Sequence, residues 1–163
     1  MRKLLLVVSS AAALSGTGWV IAARARSDLT PPTGYRRWFH VNSAVVDSAS
    51  PLFAQLGGLH NIYLNAVGQP ALERGGTYAD GSVFVDDIHA FTLASGTYAE
   101  GGRKALAVMV KEAKQYGTTG GWGFQLWAAG DATKPVVTEP VGQCFACHTQ
   151  QANHQYVFST YIP

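Results

Sequence analysis

"SVFVDDIHAFTL" (residues 82–93) is the clearest strand signal in the sequence. Successive side chains of a β-strand point to opposite faces, so Phe84 and Asp86 are predicted on one face and Val85 and Asp87 on the other. Each apolar face of this strand therefore carries one aspartate.

Further strand signals lie on both sides of this run. Aromatic and β-branched residues are frequent in residues 35–46, 59–67 and 121–129, which are predicted as strands. Residues 68–76 predict one or two turns of helix, and residues 104–116 predict a strand that passes into a helix. This order of elements predicts an α+β fold, a mainly antiparallel β-sheet with a few helices.

Length and composition predict one compact domain. The chain has 163 residues, of which 47% are hydrophobic and 13% are charged, which is enough apolar material for a core without disulfides or metals. Without residues 1–25, the 12 basic and 10 acidic residues become 9 and 10, a net charge near −1. This balance gives no indication of a nucleic-acid partner.

The N-terminus resembles an export signal. A basic start, an apolar run and Ala23-Arg24-Ala25 are typical of a signal peptide with its cleavage site. An uncleaved membrane anchor is the alternative, because residues 4–23 are just long enough to cross a bilayer. We predict a signal peptide over residues 1–25, a linker over 26–34, a folded domain over 35–163, and a periplasmic location.

The C-terminal part contains the motif Cys-x-x-Cys-His in "VGQCFACHTQ" (residues 141–150). This spacing is typical of covalent c-type haem attachment, in which two thiols add to the vinyl groups and the histidine binds the iron. Cys144 and Cys147 are thus predicted as thioether anchors of one haem c and His148 as the axial iron ligand. A zinc site, a redox dithiol and a structural disulfide are the alternatives.

The sixth coordination position decides the type of haem protein, because a strong protein ligand there favours electron transfer and an open position admits small molecules. Met109 is the only methionine after residue 25, and its apolar surroundings indicate a core residue. Each of the other four histidines is more typical of a structural or surface residue. The sequence offers no convincing sixth ligand.

Seven segments together resemble the cytochrome P-460 family in sequence order: YRRW, IYLN, YADGSVFV, VMVKEAKQYG, GGWGFQLW, CFACH and YVFSTYIP. The resemblance implies a periplasmic c-type haem protein with a mainly antiparallel sheet and a five-coordinate haem. Because such proteins are often dimeric, a homodimer is a candidate assembly.

Two branches of that family differ in their distal residues. The P-460 enzymes oxidise hydroxylamine and carry a lysine cross-linked to the haem and a distal carboxylate, whereas the cytochrome c′-beta branch lacks the cross-link and binds nitric oxide or carbon monoxide. In this sequence Asp86 follows the strand opening where the lysine is expected, and Ala107 aligns with the carboxylate. The resemblance therefore implies a distal pocket that includes Phe84, Asp86 and Ala107.

Three functional hypotheses follow. The first is a five-coordinate haem protein that binds nitric oxide or a similar small ligand, with Phe84 capping the open site. The second is an oxidoreductase acting on hydroxylamine or another small nitrogen compound, with Asp86 as the catalytic acid or base. The third is a six-coordinate electron carrier that uses Met109 or a histidine. Each of these hypotheses implies that the protein binds a small ligand or a redox partner protein.

Overall fold

The computed structural model describes residues 28–163, and the predicted signal peptide lies outside them. Five antiparallel strands form one sheet whose spatial order follows the chain. The predicted α+β fold is confirmed. The strands are β1 (Phe39–Val46), β2 (Gly58–Leu64), β3 (Val83–Ala94), β4 (Thr97–Lys111) and β5 (Trp122–Ala128).

The helices are short and lie in the connections between strands. They are α1 (Phe53–Leu56), α2 (Gln69–Arg74) and α3 (Ala146–His148), with 3-10 turns at Tyr35–Arg37, Gly117–Thr119 and Thr149–His154 and a π-helical turn at Val141–Phe145. The helix predicted over residues 68–76 is confirmed as α2. None of the helices in the described residues is long and apolar enough to cross a membrane.

The helix predicted at the end of residues 104–116 is wrong, because β4 continues to Lys111 and a turn follows. The backbone N–H of Lys111 donates to the carbonyl of Ser82, and that of Glu112 donates to the carbonyl of Gly121. The Ala113 N–H donates to the Asp80 carboxylate. These donors bind partners on neighbouring segments, and within residues 112–116 only the Tyr116 N–H donates to a carbonyl four residues back, that of Glu112, so the chain makes a single turn rather than a helix.

β3 and β4 form a long hairpin that the sequence analysis predicted only in part. Ala94 and Thr97 are paired, so the loop contains only Ser95 and Gly96. Both have positive φ, 51° and 75°, as a two-residue type I′ turn requires. Gly96 accepts this geometry because it has no Cβ.

The two faces of the sheet carry separate apolar clusters. Phe84 belongs to the first cluster, together with Met109 and Phe124, and Cys144 and Phe145 from the Cys-x-x-Cys-His segment pack against it. We call this side of the sheet the motif face. Its cluster contains the following buried residues: Val41, Leu64, Leu72, Tyr78, Phe84, Met109, Trp122, Phe124 and Val157.

The opposite face contains a charged cluster around Asp87, whose side chain is fully buried. Four side chains contact its carboxylate: Tyr35 Oη at 2.7 Å, Arg36 Nη2 at 2.8 Å, Arg103 Nε at 2.6 Å and His89 Nε2 at 2.9 Å. Burial alone would raise the pKa of Asp87, but the hydrogen bonds from Arg103 and the neighbouring donors outweigh it and lower this pKa to about 2. Asp87 is therefore ionised and holds this face together.

Candidate haem site

The Cys-x-x-Cys-His motif lies on one continuous helical segment, formed by the π-helical turn, α3 and the 3-10 turn. Residues three and four positions apart share one side of a helix. Cys144, Cys147 and His148 therefore present their side chains toward the same side, where a single planar group could meet both sulfurs and one imidazole.

His148 is oriented by a hydrogen bond to the backbone. Its Nδ1 lies 2.6 Å from the carbonyl oxygen of Tyr156, so Nδ1 carries the proton and Nε2 keeps its lone pair. The ring packs against Phe124 and Phe158, with centroids 4.9 and 5.2 Å away. Burial lowers the pKa of His148, although the Tyr156 carbonyl partly opposes this. Neutral imidazole is the form that binds a metal.

The Tyr156 carbonyl is positioned by an unusual turn. Gln155 and Tyr156 both adopt left-handed backbone angles, with φ of 56° and 66°, a conformation that costs non-glycine residues free energy and needs support from the surroundings. The fully buried indole of Trp122 donates from Nε1 to the Gln155 carbonyl at 2.9 Å. The Gln155 amide donates to the carbonyl of Gly76 at 2.8 Å. The core thus fixes the turn that orients His148.

The environment of the cysteines does not support the three alternative interpretations of the motif. Both sulfurs are free thiols, so there is no disulfide. Burial, with a contribution from Glu139, raises the pKa of Cys144 to about 11, whereas a redox-active cysteine needs a lowered pKa. Within residues 28–163 no three His, Cys, Asp or Glu side chains are grouped to hold a metal ion, and a structural zinc site needs four ligands.

The three predicted distal residues also lie on the motif face. The strand register pairs Phe84 with Met109 and Asp86 with Ala107, and directly opposite residues share a face of the sheet. Phe84 is only 6% exposed, because its ring packs against Tyr78 and Trp122. Asp86 is more accessible, with 29% of its side chain exposed. Phe84 is thus part of the core, while Asp86 is reachable from the motif face.

Comparison with protein-family models matches residues 32–159 to the model described as Cytochrome P460. The chain belongs to the cytochrome P460 family. No curated protein matches the chain. Membership in the P460 family confirms the predicted resemblance and implies that the chain binds haem.

The residues of the motif fit the haem that the P460 family implies. Two unpaired thiols and one imidazole with a free Nε2 lie on the same side of the helical segment. The neighbouring side chains are aromatic, as a large planar apolar group requires. Cys144 and Cys147 would hold the macrocycle and His148 the iron. The bound haem would supply a metal centre that coordinates small molecules.

His60 is a neighbour of Asp86 that the sequence analysis did not select. Its Nδ1 lies 2.7 Å from Oδ2 of Asp86, and its Nε2 lies 2.7 Å from the carbonyl oxygen of Leu56. Burial lowers the pKa of His60, but the Asp86 carboxylate and the Leu56 carbonyl outweigh this effect, so the pKa is raised overall. The register of β2 against β3 brings these two residues together, and no local motif indicates it.

Proposed function

We propose that this member of the cytochrome P460 family is an exported c-type cytochrome with one covalently attached, five-coordinate haem that binds nitric oxide or a similar small ligand. His148 would bind the iron from one side. The other coordination position would stay open to ligands, beside a wall formed by Phe84, Asp86 and Ala107.

The contacts of the other histidines support this proposal, because they leave His148 as the histidine best placed to bind the iron. His60 has hydrogen-bond acceptors at both ring nitrogens. His89 lies on the opposite face, where its nitrogens contact Asp87 and the Gly101 carbonyl. His40 and His154 are exposed. Among residues 28–163, only His148 combines a partly buried ring, a single occupied nitrogen and adjacent free thiols.

Met109 supports the same conclusion. It is 8% exposed and is paired across the sheet with Phe84 on one side and Phe124 on the other. Its thioether is surrounded by the core cluster of the motif face. These contacts give Met109 a packing role, so the iron would have one protein ligand.

Visible absorption spectra of the purified protein test this proposal. We expect a high-spin ferrous spectrum that changes fully on addition of carbon monoxide or nitric oxide, because no protein ligand has to be displaced. A low-spin ferrous spectrum that neither gas alters would contradict the proposal and support the electron-carrier hypothesis.

The position of Asp86 favours a second candidate function, an oxidoreductase acting on hydroxylamine or another small nitrogen compound. Asp86 provides a carboxyl group on the motif face, and a positioned carboxylate can act as a general base. For this function we expect hydroxylamine turnover to be lost in Asp86→Asn and kept in Phe84→Ala, measured with an artificial electron acceptor. Equal activities in both variants would contradict it.

A further inference from the structure

Two neighbouring residues close to His148 adopt a backbone conformation that non-glycine residues rarely accept. Gln155 and Tyr156 have φ of 56° and 66°, and only two other non-glycine residues among residues 28–163 have positive φ. Such angles cost free energy, persist only where the surroundings impose them and cluster at functional sites. The carbonyl of Tyr156 is also the hydrogen-bond acceptor of His148 Nδ1, at 2.6 Å. The strain therefore lies at the group that orients the predicted iron ligand.

Gln155 is held from two sides. Its backbone carbonyl accepts a hydrogen bond from Nε1 of Trp122 at 2.9 Å, and the Trp122 side chain is fully buried. Its side-chain amide binds the segment that precedes β3. Nε2 donates to the Gly76 carbonyl at 2.8 Å, and Oε1 accepts from the backbone N–H of Tyr78 at 3.4 Å. These contacts restrict the rotation of the backbone at Gln155.

The ring of Tyr156 packs directly against Gly120. A Cβ added to Gly120 would lie 2.3 Å from Cε2 of Tyr156, far inside van der Waals contact, so this position has no room for a side chain. The Tyr156 ring also contacts Phe145, with centroids 5.0 Å apart. Both residues of the turn are thus fixed by residues at, or just before, the start of β5.

Lys111 holds Gly120 and Trp122 together. It ends β4 and is paired with Trp122 across the sheet. Its Nζ donates to the Gly120 carbonyl at 2.8 Å and lies 5.2 Å from the centroid of the Trp122 ring. The face of an indole ring attracts a cation, so one ammonium group stabilises both residues that contact the turn. Lys111 is buried, and the arrangement is therefore part of the core.

We propose that Trp122 is a positioning residue that sets the strength of the bond between His148 and the haem iron. Its indole N–H fixes the turn at Gln155. The fixed turn places the Tyr156 carbonyl against Nδ1 of His148. This inference rests on the proposed function, since it requires a haem whose iron is bound by His148.

The hydrogen bond at Nδ1 controls how strongly His148 donates to the iron. A partner that accepts a hydrogen bond from Nδ1 raises the basicity of the imidazole, so Nε2 is a stronger ligand. Hydrogen bonds weaken steeply as their geometry departs from the preferred one. If the turn relaxed toward ordinary backbone angles, the Tyr156 carbonyl would move and this hydrogen bond would weaken. The iron–histidine bond would then be weaker and the ferric state less stabilised, which raises the reduction potential.

Trp122→Phe in the holoprotein tests the inference. Phenylalanine keeps an aromatic ring in the core but removes the N–H that binds the Gln155 carbonyl. The iron–histidine stretching band of the ferrous protein, measured by resonance Raman spectroscopy, is expected to shift to lower frequency. The reduction potential, measured by spectroelectrochemical titration, is expected to rise. A residue that only packs in the core would change the free energy of unfolding without moving either value.

Trp127→Phe is the matched control. Trp127 is also buried on β5, but it belongs to the apolar cluster of the opposite face. We expect Trp127→Phe to lower the free energy of unfolding, as Trp122→Phe does, because each removes part of a buried ring. Its stretching band and reduction potential are expected to equal those of the wild type.

Gly120→Ala disturbs the same turn from its other residue, because the added methyl group meets the ring of Tyr156. The stretching band and the potential are expected to shift in the same directions as in Trp122→Phe. Gly96→Ala is the control for this variant. Gly96 also has positive φ, 75° against 64° for Gly120, but a Cβ there would have no neighbour within 4 Å. It therefore carries the backbone strain without the contact to Tyr156.

An unchanged stretching band and potential in both Trp122→Phe and Gly120→Ala would overturn the inference, as would shifts of the same size in the two control variants. If one variant takes up no haem, the other variant and its control decide. Failure of the proposed function gives a different result, which the wild-type protein shows by itself. Its ferrous spectrum would then be low-spin and would lack the iron–histidine stretching band of a five-coordinate haem.

Discussion

Replacing both Cys144 and Cys147 with serine is expected to abolish covalent haem attachment completely. Serine keeps a similar size and places a hydroxyl group where each thiol lies, but it does not form the thioether bonds that anchor haem c. Mass spectrometry under denaturing conditions is the direct measurement. The wild-type protein is expected to carry the added mass of one haem, and the double variant the mass of the polypeptide alone.

The single variants provide the control for this prediction. Cys144→Ser and Cys147→Ser should each retain one thioether, so haem is expected to stay attached in part of the molecules. Haem that remains covalently bound in the double variant would contradict the prediction. It would reveal a third attachment point and also contradict the expectation, based on Asp86 at the position of the cross-linking lysine, that this chain lacks the lysine cross-link.

Asp87→Asn is expected to lower the free energy of unfolding by about 3 kcal/mol, the lower end of the cost of breaking a buried ion pair. The Asp87 carboxylate is fully buried and accepts hydrogen bonds from Arg103 and Tyr35. Arg36 is half-exposed and can recover part of its hydration, which keeps the cost at that lower end. Urea denaturation of the holoproteins at pH 7 measures the difference.

The contribution of the Asp87 carboxylate to the free energy of unfolding depends on pH. The pKa of Asp87 is lowered from 3.8 to about 2 in the folded protein. A carboxyl group whose pKa is lowered by folding stabilises the folded state fully when the pH is above its pKa in the unfolded chain. This stabilisation is lost as the pH falls toward its pKa in the folded protein. The difference between the wild type and Asp87→Asn is therefore expected to be constant above about pH 5 and to shrink between about pH 4 and pH 2.

Asp131→Asn is the matched control for both measurements. Asp131 also has a pKa lowered to about 2, caused first by hydrogen bonds from Thr133, but its ion pair with Lys134 is on the surface. Its replacement is expected to change stability far less, because solvent screens an exposed pair. If Asp87→Asn and Asp131→Asn lowered the free energy of unfolding equally, the buried cluster would contribute no more to stability than a surface ion pair.

The sequence predicted the elements that depend on local pattern. The alternation in β3 separated Phe84 and Asp86 from Val85 and Asp87, and the structure places these pairs on opposite faces. Residues 113–115 form a turn although their composition predicts a helix, because the N–H groups of Glu112 and Ala113 donate to the Gly121 carbonyl and the Asp80 carboxylate and fix the chain against other segments. Contacts this distant in sequence are not encoded in local propensity.

The sequence by itself determined the haem motif, because the three functional groups of Cys144, Cys147 and His148 are adjacent in the chain and their spacing sets one side of a helix. Only the tertiary structure decided what surrounds them. The Tyr156 carbonyl orients His148 through a turn that Trp122 supports, and His60 meets Asp86 across two strands. The physical reason is strand register: shifting a strand by one residue would turn all its side chains to the other face, and long-range packing fixes that choice.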